Sequence, residues 1–257
     1  MADPRRGELG DFLRSRRDRL TPKIVGLPNG RRRRTVGLRR EEVAELAGIG
    51  VDWYIRLEQG RAVSPSVTTV DALARALRLS KAEHVHLRAL AHSAGRRPFV
   101  RESVPVTIGR VVGSLNQPAY VTGRRWDILV WNDAADEVFA FSRLAEEDRN
   151  ALICVLTNPN VRRLFGASWA GEAERMVAEF RATHDLWAGD PAFLELLDRL
   201  RRGCPEFASW WEAHDIRRGG TGEKRLHHPG KGLLRFAYAT FQANDDPALK
   251  LVIYTPV

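Results

Sequence analysis

The stretch Leu38–Arg61, LRREEVAELAGIGVDWYIRLEQGR, constrains this chain more than any other. Gly48 divides it into two short helical segments. In the first, Val43, Ala44, Leu46 and Ala47 form an apolar side while Arg39, Arg40, Glu41, Glu42 and Glu45 stay polar. In the second, Tyr54, Ile55 and Leu57 fall at helical spacing, and Gly60 supplies a stop that tolerates the left-handed conformation. Two helices joined by a Gly-containing turn, with a polar start to the second, are the helix-turn-helix signature. An ordinary αα-hairpin of a helical bundle would share the apolar spacing, so the decision rests on the charge around it.

That charge is unevenly placed. Residues 1–100 hold 21 Lys/Arg against 11 Asp/Glu, whereas residues 101–257 hold 20 against 21, so the net +9 of the chain belongs to its first part. Six of the seven Trp lie in the second part: Trp126, Trp131, Trp169, Trp187, Trp210 and Trp211. A basic segment followed by a neutral, Trp-rich one implies one domain for a polyanion and another for something apolar. The expected boundaries are a DNA-binding domain at 1–95, a Pro-containing polar linker at 96–105 (within GRRPFVRESVP) and a second domain at 106–257. Cys154, inside ALICVL, reads as a small buried hydrophobe, and two cysteines make neither a disulfide framework nor a metal site. With no signal-peptide pattern and no apolar run near about 18 residues, the expectation is a soluble, cytoplasmic protein without a membrane partner.

In chain order, Leu9–Leu20 reads as a first helix, with Leu9, Phe12, Leu13 and Leu20 apolar and Arg14, Arg16, Arg17 and Arg19 among the rest. Arg17 is expected to turn inward and pair with Glu58, which makes Glu58 scaffold. A Gly- and Pro-rich loop from Thr21 to Gly37 carries Arg31, Arg32, Arg33 and Arg34. This run is either a solvated basic loop or a phosphate and minor-groove contact. Ser66 caps a helix over Val67–Leu77, and Ser80 with Glu83 forms a capping box for Lys81–Ser93. His84, His86 and His92 on or near that helix read as surface or partner-facing groups. After a helical Val106–Asn116 the pattern changes. Ala119–Thr122 and Asp127–Trp131 are β-rich and separated by Gly123-Arg124-Arg125. A block of helices follows from Asn132 to His214, and Lys224–His228, Leu233–Ala243 and Leu249–Thr255 are β-rich again. The fold class is therefore an all-α helix-turn-helix domain plus an α+β domain with a five-stranded antiparallel sheet.

For DNA, Val51, Asp52 and Trp53 at the start of the second helix, with Arg56 one turn on, are the expected base-reading residues. Arg56 suits guanine O6/N7, Asp52 suits cytosine N4, and Val51 suits a thymine methyl. Trp53 either stacks on sugar-phosphate or shields the helix pair. Arg39, Arg40 and Arg61 suit phosphates. In the second domain no catalytic set emerges, so no enzyme is expected. His214 and Asp215 lack a nucleophile, His227 and His228 point to opposite faces of a strand, and Gly219-Gly220-Thr221-Gly222 lacks the Lys-Ser/Thr of a phosphate loop. The aromatics either fill the core or line an apolar cavity between sheet and helices.

LGDFLRSRRDRL, GRRRRTVGLRREEVAELAGI and YIRLEQGR together resemble the XRE-family, lambda-repressor-like helix-turn-helix regulators. PAYVTGRRWDILVWN, EEDRNALICVL, CPEFASWWEAHDIR, GEKRLHHP and LKLVIYTP resemble the MmyB-like ligand-binding domain fused to them. The resemblance implies a PAS-like second domain and a transcriptional regulator of double-stranded DNA, with a fatty-acid-like apolar ligand in some members; helix-turn-helix geometry adds the expectation of a homodimer, and no cofactor or metal is expected. The resemblance carries Val51, Asp52 and Arg56 as base readers, and Trp131, Asn132, Arg149, Asn150, Phe207, Trp211, His214 and Asp215 as motif positions of the ligand domain. Of these, Trp131, Asn132, Asn150, Phe207, Trp211 and His214 are the expected ligand-binding residues. Val36 stands where Pro is usual, and Trp210-Trp211 where one Trp is usual. The competing readings are a second domain serving only dimerisation or polymerase contact, and a small hydrolase or transferase localised by its first domain.

Overall fold

The computed structural model describes residues 4–28, 37–61, 63–92, 98–217 and 219–257. The chain forms two compact units. The first takes Met1–Pro98 together with His184–Leu194 and Glu212–Arg217; the second takes Phe99–Thr183, Glu195–Trp211 and Arg218–Val257. None of the described helices is long and apolar enough to cross a membrane.

The first unit holds α1 (Pro4–Arg19), α2 (Arg40–Ala47), α3 (Val51–Glu58), α4 (Val67–Ala76) and α5 (Lys81–Ala91). Its core is the set of inward residues that helical spacing selects: Phe12 and Leu13 from α1, Val43 and Ala44 from α2, Tyr54 and Leu57 from α3, Leu73 from α4 and Leu87 from α5. Each of the larger apolar side chains contributes roughly 1.5–3 kcal/mol through burial. Gly48 adopts φ +66° and turns the chain between α2 and α3. Gly10 has a steric role that composition does not reveal: a Cβ there would stand 2.3 Å from the Glu58 carbonyl oxygen, so α1 and α3 meet where α1 has no side chain. The caps follow the sequence. The Ser66 hydroxyl accepts from the Thr69 amide at 3.2 Å, and Ser80 and Glu83 form the reciprocal capping box. Of the three histidines expected at the surface, His92 is exposed and His84 partly so, whereas His86 departs from expectation. His86 is buried, edge-on to Phe12 and 3.1 Å from Asp185, and His84 is 2.7 Å from Asp71. Position 86 falls on the inward side of α5 with Leu87 and Leu90.

The second unit begins with α6 (Val106–Ser114), β1 (Ala119–Thr122) and β2 (Ile128–Trp131). The helices α7 (Asp133–Phe139), α8 (Ala151–Thr157), α9 (Pro159–Phe165), α10 (Trp169–His184), α11 (Pro191–Gly203) and α12 (Phe207–Glu212) follow, except that His184, Pro191–Leu194 and Glu212 at their ends belong to the first unit. The last strands are β3 (Gly222–His228), β4 (Gly232–Gln242) and β5 (Lys250–Pro256). They make one antiparallel sheet of order β2-β1-β5-β4-β3. The register places Tyr120 opposite Val252, Thr122 opposite Lys250, and Tyr238 opposite Tyr254. Because side chains alternate along a strand, one face carries Val121, Leu251 and Ile253 and packs with Val112 and Ile108 of α6. The other carries Tyr120, Thr122, Lys250, Val252 and Tyr254, and a cavity forms on that face.

Candidate DNA interface and ligand cavity

The inner side of α3 is fixed by a buried ion pair. Arg17 donates from Nε to Glu58 Oε2 at 2.9 Å and from Nη2 to Oε1 at 3.0 Å, and its Nη1 donates to the Leu38 carbonyl at 2.8 Å. Arg40 Nε adds a bond to Glu58 Oε1 at 3.0 Å. Burial alone would raise the Glu58 carboxyl, but the bonds and charges of the two arginines outweigh it and hold the group below the usual carboxylate range. Burial, with the neighbouring Glu58 charge, pushes the Tyr54 hydroxyl far above its ordinary value. The Arg17–Glu58 pair expected from the sequence is in place, and it joins α1 to α3.

With that side anchored, α3 turns Val51, Asp52 and Arg56 outward and exposed, while Trp53 is half-buried. Spacing puts Asp52, Arg56 and Gln59 on one face. Gln59 is exposed and was not singled out from the sequence, because it follows the last helical residue. Arg39 and Arg61 are exposed at the two ends of the motif. Arg40, partly exposed at the start of α2, has its guanidinium bonded to the Glu58 carboxylate, with Nε 3.0 Å and Nη2 2.9 Å from Oε1. Arg31, Arg32, Arg33 and Arg34 lie outside the described residues.

In the second unit, two adjoining lobes of about 40 and 90 Å³ lie between the sheet and α8–α10, sharing Tyr120, Ala151, Met176, Lys224 and Tyr254 as walls. The period-2 face of the sheet supplies the tyrosines, and successive turns of α10 supply Glu172, Arg175, Met176 and Glu179. Lys224 Nζ pairs with Glu172 Oε1 at 2.8 Å and sits 4.8 Å from the Tyr238 ring centroid. Arg175 bridges Glu172 and Glu179. Burial would raise Glu172, yet Lys224 and Arg175 hold it low; for Glu179 burial wins and the carboxyl is raised. Tyr120 and Tyr254, whose hydroxyls are 3.4 Å apart, are both pushed up by burial. A wider groove of about 850 Å³ adjoins the smaller lobe through Phe139 and Val161 and is lined by Asp136, Glu137, His227 and His228.

The family model for the MmyB-like transcription regulator ligand binding domain matches residues 104–257. The chain belongs to this family. A helix-turn-helix domain model matches residues 8–87, and with it this MmyB-like chain is a DNA-binding transcription regulator carrying a ligand-binding domain. No curated protein matches the chain.

The residues of this MmyB-like regulator expected at the ligand sit apart from the two inner lobes. Asn132 caps α7: its Oδ1 accepts from Ala135 at 2.9 Å and Ala119 at 3.0 Å, and its Nδ2 donates to the Leu115 and Gln117 carbonyls at 2.8 Å each. Asn150 caps α8, accepting from Leu152 and Ile153 and donating to the Arg125 carbonyl and Asp127. Both amides have their hydrogen-bonding capacity filled by backbone and a neighbouring carboxylate. Trp131 packs against Phe141 and under the Arg149 guanidinium, in the wall of a groove beside α6. Phe207 and Trp211 stack on each other at 5.4 Å between centroids. His214 belongs to the first compact unit, where its carbonyl accepts from Arg16.

The lining groups Tyr120, Arg175, Met176, Lys224, Lys250 and Tyr254 went unmarked in the sequence, although the alternation of the strands was the signal for four of them. As for metal ligands, Glu8, His184 and Asp185 bring one atom each within 4.8 Å of one another. Asp185 already meets His184 Nδ1 at 3.0 Å and His86 Nε2 at 3.1 Å, so this is a hydrogen-bonded cluster.

Proposed function

We propose that this regulator reads a palindromic operator as a homodimer, with α3 in the major groove, and that its second domain senses a small, largely apolar ligand between sheet and helices. The observation that carries the DNA reading is the division of α3. A buried, doubly bonded Glu58 locks one side, and Val51, Asp52 and Arg56 are left exposed on the other. A reading helix needs a rigid seat, because discrimination of a base edge depends on placing a side chain within a few tenths of an ångström. Arg39 and Arg61 supply phosphate contacts that set register without reading sequence. Trp53, half-buried, shields the helix pair. A cytoplasmic location follows from acting on DNA.

The cavity supports the sensing role. Aromatic walls surround a few convergent polar groups, the usual composition of a small-molecule site. No enzymatic role is proposed. Burial pushes the Cys154 thiol up to about 12 and the Cys204 thiol up to about 11, the opposite of what a nucleophile requires. The long apolar chain of a fatty acid would have to extend past Phe139 and Val161 into the outer groove.

Selection of bound duplexes from a randomised pool tests the DNA reading. The expected result is a palindrome whose half-sites are centred about one helical turn, roughly 34–36 Å, apart. Arg56→Ala should erase preference at one base pair per half-site, a loss of about 1–3 kcal/mol of discrimination. Recovery of no common sequence by the unaltered protein would overturn the proposal.

A further inference from the structure

The inner lobes hold more specific chemistry than an apolar lining. Lys250 on β5, opposite Thr122 of β1, lines the lobe of about 90 Å³. Among the described residues its ammonium forms no hydrogen bond or ion pair, and its one charged neighbour is Glu179, felt through space. Burial lowers the Lys250 pKa, and Glu179 opposes that shift. Trp126, in the wall of the same lobe, buries an indole N–H that has no acceptor among the described residues. The other charges are already committed: Lys224 to Glu172, and Arg175 to Glu172 and Glu179. Three cations thus face two carboxylates, and the excess positive charge sits with Lys250. Two unmatched donors in a partly desolvated wall call for one anionic acceptor.

Size and shape narrow the rest. A cavity of about 150 Å³ holds benzene, and the lobes of about 40 and 90 Å³ together offer space of that order. Tyr120 and Tyr254 stack 26° from parallel and form a flat wall shared by both lobes. Phe139 and Val161 line both the smaller lobe and the outer groove, so they stand between the two.

Resting on the reading of this cavity as the ligand site, we propose that it takes a small aromatic monocarboxylate of benzoate size. The carboxylate is received by Lys250 and the Trp126 indole N–H, and the ring lies against Tyr120, Tyr254 and Met176. A long-chain acid is excluded until the Phe139–Val161 wall opens.

Isothermal titration of the full-length protein with benzoate, benzyl alcohol, benzylamine and dodecanoate tests this. Benzoate should bind at least about 10-fold more tightly than benzyl alcohol, as expected when a charge-assisted bond replaces a neutral one, and benzylamine and dodecanoate should give no saturable heat. Lys250→Met should bring benzoate down to the level of benzyl alcohol, and Trp126→Phe should weaken benzoate several-fold while leaving benzyl alcohol unchanged. Should Lys250→Met fail to fold, Trp126→Phe and the wild-type ratio decide. Equal binding of benzoate and benzyl alcohol overturns the anion assignment and leaves the cavity standing. Binding of dodecanoate without benzoate overturns the size assignment. Binding of none of the four removes the cavity reading itself, and the proposal with it.

Discussion

Replacing Glu58 with Ala should be among the most damaging single changes to the DNA-binding unit. The carboxylate is buried and receives two bonds from Arg17 and one from Arg40 Nε. Bonds to a charged group contribute about 1.5–3 kcal/mol each, and removing one partner of a buried pair typically costs about 3–5 kcal/mol because the other charge stays behind unpaired. Arg40 is partly exposed and regains water on losing Glu58, so Arg17 dominates the loss and about 3–4 kcal/mol is expected. The assay is urea unfolding followed by circular dichroism, read as a fall in midpoint at unchanged slope. The pH dependence gives an independent check. The folded-state pKa of Glu58 is depressed, so its contribution is fully present above the unfolded value of about 4.3 and fades as pH falls through the lower folded value. Wild type should therefore lose stability relative to Glu58→Gln on acidification below about pH 4.3. A Glu58→Ala loss under about 1 kcal/mol, with parallel pH curves for wild type and Glu58→Gln, would refute the reasoning.

Gly10→Ala puts a Cβ at 2.3 Å from the Glu58 carbonyl. It should destabilise by at least the roughly 1–3 kcal/mol of overpacking, measured as the same midpoint shift, whereas Gly7→Ala, with nothing within 4 Å, should not. Asn132→Ala removes a helix cap and leaves the Leu115 and Gln117 carbonyls without their donor. About 2 kcal/mol of stability should be lost, and thermal melts with and without ligand should show the ligand's stabilising increment unchanged. Arg61→Ala should weaken binding to all duplexes alike and reduce the salt slope by about one, seen by anisotropy across a salt series.

The first unit was legible where chemistry is local. Ser66 and Ser80 announced their caps, Gly48 the turn between α2 and α3, and Gly60 its left-handed stop at φ +68°. The expected inward pairing of Arg17 with Glu58 is in place. The α+β order and the five strands were legible because hydrophobic alternation and helical spacing differ in period. What escaped depends on contacts distant in sequence. Gly10 matters only because Glu58 lies against it, and Arg40 is drawn to the same carboxylate. His86 is buried because its face of α5 meets Phe12 and Asp185. The ligand domain was hardest to read, since motif positions such as Asn132 and Asn150 hold the fold by capping helices, whereas nothing local marks Lys224 and Lys250 on their strands as lining a cavity. Only the register shows that Lys250 and Thr122 share the covered face.

The central claim is that α3 reads sequence from a locked seat. The most direct measurement compares, at one fixed salt concentration, the affinity of the full-length protein for the DNA upstream of its own gene with that for a scrambled duplex of equal length. The expected ratio is at least about 10³, within the range of specific regulators, falling by about 10-fold or more per half-site in Arg56→Ala. Equal affinity for the two duplexes, with Arg56→Ala indistinguishable from wild type, would contradict it.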